Sequence, residues 1–237
     1  MSVLRLLPLL SLGIVAAIVL SGFGARFGVW DFRVGFQILR WATYASFALA
    51  AAALVALLVP RFRTGRIRLL VMTLAMAFGA AALPMYWLQV ARTLPPINDI
   101  TTDTANPPQF VTAVPLRANA SAPTAYPGGA MATAQRAAYP DLRPLVVDRV
   151  PADAFEAALA AAREMGWQVI ATDRANGRVE ATASTPWFGF NDDVVIRVTA
   201  VEGGGSRIDI RSASRVGKGD LGANARRIRA YLAKVAA

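Results

Sequence analysis

Hydrophobic positions run almost unbroken through three stretches of the first ninety-two residues, about Leu6 to Gly22, Trp41 to Val59 and Leu69 to Ala91. Each approaches the ~20 apolar residues a helix needs to cross a bilayer core, and none carries an internal charge. The pattern predicts a membrane region over 1–92 with three transmembrane helices, about 6–22, 41–59 and 69–91. Arg5, Arg40, Arg61, Arg68 and Arg92 stand at the ends of these stretches, where long side chains reach the headgroups. Trp30, Trp41, Tyr86 and Trp87 fall near the expected interfaces. Pro84 predicts a kink in the third helix, a feature membrane helices tolerate.

At Thr93 the pattern breaks. Nine of the fourteen prolines lie between Pro95 and Pro144, which argues against regular helix or strand there. Residues 93–144 read as a Pro-rich linker, most tether-like from Asn119 to Thr133. Ile97, Ile100, Phe110, Val111 and Leu116 exceed what a solvated linker needs, so 95–116 is expected to dock in extended form.

From 145 to 237 short alternating runs return and predict a small α+β domain of order βαββββα. Leu145 to Arg149 is the first strand, and Pro151 opens a helix over Ala152 to Met165 that Gly166 closes. Trp167 to Thr172 and Arg178 to Ser184 form a hairpin around Asn176-Gly177. Asp193 to Glu202 and Arg207 to Ser214 form a second hairpin across Gly203-Gly204-Gly205. A helix from about Leu221 to Lys234, capped by Asp220, ends the domain. Val194, Ile196, Val198, Ile208 and Ile210 alternate with Arg197, Thr199, Arg207, Asp209 and Arg211. The expected result is an antiparallel sheet with two helices on its apolar face and an open charged face.

Composition sharpens this picture. The 237 residues are 55% hydrophobic and 17% charged, with a mean hydropathy of +0.42. That balance excludes an ordinary soluble protein. A net charge of +10 and a pI near 11.1 suggest nucleic acid until the charge is divided. Residues 1–92 hold nine arginines against one acid (+8), and 93–237 hold sixteen Lys plus Arg against fourteen acids (+2). The excess belongs to the membrane region, so no nucleic-acid partner is expected. Arg61, Arg63, Arg66 and Arg68, in a loop without acids, place that loop in the cytoplasm with the N-terminus. The C-terminal domain then lies across the membrane, in the periplasm of a bacterium. Two readings compete for the first stretch: a permanent helix, or a leader cleaved near Ser21-Gly22-Phe23-Gly24-Ala25. Small residues at Ala50 to Ala53, Ala75, Gly79 and Ala80 to Ala82 allow close helix packing within the chain or with a second protein.

Three segments carry a family resemblance: Pro95 to Asp103 (PPINDITTD), Gly177 to Asp193 (GRVEATASTPWFGFNDD) and Ser214 to Arg229 (SRVGKGDLGANARRIR). In this order they resemble DUF1499, a bacterial and chloroplast domain whose function is not established. Asn98 stands where relatives often carry His. The resemblance implies that 95–110 belongs to the domain, and it supplies no reaction, cofactor or site.

Candidate chemistry is sparse. Without cysteine or histidine the chain has no thiolate nucleophile, Ser-His-Asp triad or usual zinc sphere. Gly217 to Gly222 (GKGDLG) matches G-x-G-x-x-G, but a dinucleotide fold needs a further parallel strand and an acid ~20 residues on. The surviving reading is an anion site at a helix start, flanked by Arg215, Lys218 and Gly219, against plain turn geometry capped by Asp220. Arg197, Arg207 and Arg211 form a stripe that is either a solvated strand face or a contact for anionic headgroups. Trp187, Phe188 and Phe190 either grip a partner or fold back over the end of the domain's small core, the reading favoured here. Asp192-Asp193 is no acid pair, because neighbours on a strand face opposite ways. A Ser214–Lys218 pair lacks an orienting partner.

No catalytic residue, cofactor or metal ligand is expected. The leading expectation is a non-enzymatic protein of the bacterial inner membrane, held in the lipid bilayer. Its periplasmic domain would bind an envelope protein or anionic headgroup. The alternatives are an accessory subunit of a larger membrane complex and a carboxylate-based enzyme acting on envelope glycan or lipid.

Overall fold

A computed structural model describes residues 6–120 and 123–237. Arg5, and Ser121 and Ala122 within the expected tether, lie outside the described residues. The chain forms two compact units, Met1–Val90 with Pro186–Gly189, and Ala91–Thr185 with Phe190–Ala237.

The first unit is helical. Among the described residues three helices are long and apolar enough to cross a membrane: α1 (Leu7–Arg26), α2 (Phe32–Leu58) and α4 (Ile67–Thr93). A short α3 (Pro60–Arg63) lies between the last two. All three outrun their apolar stretches, because helical hydrogen bonding continues where the side chains turn polar. Asp31 caps α2 by accepting from Arg33 N at 2.8 Å. The expected loop Phe23 to Arg40 thereby shrinks to a turn over residues 27–31, in which Gly28 adopts a φ of +71°. Ser46 Oγ donates to Ala77 O at 2.6 Å. Ala50, Ala53, Ala77 and Ala81 are buried in helix packing, whereas Ala51, Ala52, Ala75, Gly79 and Ala82 face outward.

The second unit is an antiparallel sheet with helices on one face. Its strands are β1 (Asp99–Thr101), β2 (Leu145–Val147), β3 (Gln168–Asp173), β4 (Arg178–Ser184), β5 (Asn191–Ala200) and β6 (Ser206–Ser214). The order is β1-β6-β5-β4-β3, with β2 also on the outer edge of β6. Asn176-Gly177 turns the β3–β4 hairpin, and only glycine fits there. Gly177 has φ +61° and an added Cβ would stand 2.1 Å from Val198 O.

Helices α6 (Pro151–Glu164) and α7 (Ala223–Ala236) cover the apolar face. Phe155, Ala158 and Leu159 of α6 and Ile228, Tyr231 and Val235 of α7 meet Val179, Val194, Ile196, Ile208 and Ile210. The Tyr231 ring stacks on Trp167 at 5.2 Å, and its hydroxyl donates to Ala158 O at 2.9 Å. α7 starts two residues later than its pattern suggests, because Leu221 and Gly222 both take positive φ.

Two expectations are corrected. Regular structure does occur between 93 and 144: β1, a 3₁₀ turn (Pro115–Arg117) and α5 (Gly129–Ala138). Gln135 of α5 pairs with both backbone groups of Thr101, accepting from its N–H at 3.1 Å and donating to its carbonyl at 2.6 Å. It thus satisfies edge groups of β1. Nor is the charged face open, because the segment around Thr102–Arg117 lies across it and buries Phe110, Ala113 and Arg117.

Candidate functional site

Arg178, Glu180, Thr182, Asp193, Val195, Arg197, Asp209, Arg211 and Ala213 share the polar face through the β4–β5–β6 register. Charge cannot be buried there unless paired and hydrogen-bonded, and the covering segment completes the pairing. Arg211, fully buried, holds Asp99 in a fork, Nε to Oδ1 at 2.9 Å and Nη2 to Oδ2 at 2.7 Å. Its guanidinium also donates to Pro108 O and Thr124 O. Phe110 at 4.6 Å and Tyr126 at 5.6 Å take up cation–π positions on it. Burial, then Asp99, pushes the Tyr126 hydroxyl up to about 12.

Arg117 reaches the face from the covering segment. It donates to Asp193 Oδ2 at 3.0 Å, Ala213 O at 2.9 Å and Ser214 O at 3.2 Å. Asp193 also receives Arg215 at 2.7 Å and Thr182 Oγ1 at 3.1 Å. The hydrogen bond to Asp193 raises Arg215 above its ordinary range. Glu180 accepts three successive backbone N–H groups, Val111 and Thr112 at 3.0 Å and Ala113 at 2.8 Å. Arg178 Nε stands 3.3 Å from Glu180 Oε1, at ion-pair distance without hydrogen-bond geometry. Asp209 takes Arg197 and Arg207, each at 2.9 Å, and Asp103 takes Arg207 at 2.6 Å. Hydrogen bonding to Asp209 raises Arg207.

A groove of about 200 Å³ opens beside this network, lined by Pro108, Gln109, Val111, Asn176, Arg178, Val195 and Arg197. Arg178 and Arg197 are direct cross-strand partners there, yet each is matched by carboxylates, Asp173 and Glu180 for one and Asp209 and Asp103 for the other. The groove therefore offers no net positive charge to an anion.

The other expected residues separate. Asp192 and Asp193 do diverge: Asp192 pairs with Arg227 at 2.6 Å while Asp193 meets Arg117. Lys218 and Gly219 are exposed in the glycine turn. Asp220 fills the helix start, accepting from Gly222 N at 2.8 Å and Asn224 N at 2.7 Å. Burial raises its carboxyl above the ordinary range despite those bonds. Asn98 Nδ2 donates to Gly217 O at 2.7 Å, so the amide at this family position ties β1 to the turn. Trp187 and Phe188 belong to the first unit, with the Phe188 ring 4.7 Å from Phe36. Phe190 stays with the sheet, exchanging hydrogen bonds with Thr185. Among the described residues no three acidic side chains gather as a metal-ligand set.

Asp99, Arg117, Gln135, Asn224 and Arg227 were not singled out by pattern. Asp99, Asn224 and Arg227 sit inside the family segments, which was a usable signal; Arg117 and Gln135 lie in the Pro-rich stretch, which carried none. Among the described residues the architecture joins three membrane-capable helices to an α+β unit whose polar sheet face is occluded. A family model described as "Protein of unknown function (DUF1499)" matches residues 99–235, and the chain belongs to that family. That match runs from the start of β1 into the last turn of α7. No curated protein matches the chain.

Proposed function

We propose that this protein is a non-enzymatic interaction module of the bacterial inner membrane, with its N-terminus in the cytoplasm and its α+β unit in the periplasm. The observation that carries this reading is the commitment of the unit's reactive side chains to one another. Asp99, Glu180, Asp193 and Asp209 are buried and held by arginines or backbone N–H groups, so these four carboxylates are engaged within the fold rather than presented to a substrate. Lys218 and Gly219, on an exposed turn beside Arg215, are the contact proposed for an envelope protein or anionic headgroup. The orientation rests on the four arginines of residues 61–68.

Photocrosslinking from position 218 in native membranes is expected to trap one recurrent partner. Turnover of an envelope glycan or lipid by the purified full chain would overturn the reading. The absence of cysteine makes topology directly readable. Glu202→Cys is expected to react with an impermeant maleimide in spheroplasts, and Thr64→Cys only after lysis. The reverse pattern would invert the orientation.

A further inference from the structure

Within the first unit, three glycines lie where neighbouring atoms leave no room for a side chain. An added Cβ would stand 2.3 Å from Trp187 Nε1 at Gly22, 2.1 Å from Trp30 Cζ2 at Gly24 and 2.5 Å from Ser21 O at Gly35. Two indoles thus press against one stretch of α1, and each donates to a carbonyl of that stretch. Trp187 Nε1 reaches Val19 O at 2.9 Å and Trp30 Nε1 reaches Ser21 O at 3.0 Å.

The rest of the Pro186–Gly189 segment is held as closely. Arg26 donates to Pro186 O at 3.0 Å. Phe188 is 8% exposed, with Phe36 at 4.7 Å and Trp187 at 4.9 Å. An added Cβ on Gly189 would lie 3.1 Å from Arg26 Cα. The small residues Ser21-Gly22-Phe23-Gly24-Ala25 are the ones that make α1 look like a cleavable leader. Here they are helical, Ser21, Gly22 and Gly24 are buried, and the stretch is occupied.

We infer that Ser21–Gly24 is the docking site of the Trp187–Phe188 segment, and that α1 stays in the mature protein as the helix carrying that site. Removing α1 would strip Trp187 of its hydrogen-bond acceptor and its glycine platform, and would uncover Phe188 against α2. A loop retained after such a loss would expose two large aromatic rings.

Three measurements on the full chain, purified from native membranes in mild detergent, test this. Peptide mapping is expected to recover residues 6–26 in the same proportion as the C-terminal peptides. A mature N-terminus at or after Ala25 would overturn the proposal. The pair Arg26→Cys with Gly189→Cys is expected to crosslink under mild oxidant. The added Cβ lies 3.3 Å from Arg26 Cβ, close to the ~3.5–4.5 Å of disulfides. Arg26→Cys with Thr64→Cys, two positions of the first unit beyond opposite ends of the 27-residue α2, is expected not to crosslink, and equal behaviour of the two pairs would count against docking. Because Gly189 has φ +69° and a side chain there is strained, a third arm leaves it untouched. Gly22→Leu is expected to raise the rate of Trp187 modification by N-bromosuccinimide several-fold. Gly13→Leu, with open space around Gly13, is expected to leave the rate unchanged. Equal rates in the two variants would refute the docking site.

Discussion

The two faces of the sheet are built from the same strands and covered in opposite ways. On one, Val194, Ile196, Ile208 and Ile210 lie under α6 and α7, whose apolar residues recur at helical spacing. On the other, Arg211, Asp193, Glu180 and Asp209 lie under a largely irregular segment that carries its own buried arginine. The first face requires only apolar area of the right shape, which many sequences supply. The second requires specific partners, since a buried charge without its counterpart is far more costly than a lost methyl group. Equal burial on the two faces therefore implies unequal tolerance to change.

The largest effect is expected from Arg211→Ala, which leaves Asp99 buried and unpaired and should cost about 3–5 kcal/mol. Denaturant unfolding of the full chain in detergent measures it. The double variant Asp99→Leu with Arg211→Met is expected to recover most of the loss, as buried pairs replaced by apolar groups often do. A cost near the ~0–1 kcal/mol of an exposed pair would break the comparison, because the face would then be open to water. Next comes Glu180→Gln, which puts an amide against three backbone donors and should cost about 1–3 kcal/mol. Ile196→Val tests the apolar face, where about 0.5–1.5 kcal/mol is expected. If it matched Arg211→Ala, the asymmetry between the faces would fail.

The smallest effect is on pH dependence. The Arg229 hydrogen bond holds Asp141 below its ordinary 3.8, and bonds from Asn176 do the same for Asp173. Their contributions are present above 3.8 and are lost as pH falls through the lowered folded values. Asp220, raised chiefly by burial, has the opposite sign: stability declines as pH rises from 3.8 through its folded value. Arg229→Gln is therefore expected to flatten the acid limb of a stability–pH curve, and Asp220→Asn the limb above 3.8. Unchanged limbs in both variants would show that these carboxyls do not set the curve.

The apolar face was legible because helix and hairpin signals are local. Asn176-Gly177 sets one turn, and Phe155 and Leu159 recur one helical turn apart. The Pro-rich stretch that covers the polar face and the β1 edge inverts the usual code. Arg117 and Gln135 are buried, while Val111 and Leu116 remain 51% and 47% exposed. What decides their burial is a partner many residues away, which no local pattern encodes. For the same reason Arg197, Arg207 and Arg211 read as a solvated stripe until Asp99 and Asp103 came to lie beside them. Trp187 and Phe188 were expected to close the sheet's own core, yet their burial comes from glycines far earlier in the chain, whose small size hinted at cleavage instead.

The distances in sequence carry a consequence for assembly. Asp99 waits 112 residues for Arg211, Arg117 waits 76 for Asp193, and Val111 waits 69 for Glu180. During synthesis the covering segment emerges first, with its arginine and aspartate unmatched, and the strands that neutralise them come last. Closure of the polar face is then a late step of high contact order. A nascent chain halted before β6 already holds both members of the Arg117–Asp193 and Val111–Glu180 pairs but only Asp99 of the Asp99–Arg211 pair, which makes β6 the point of commitment for the polar face.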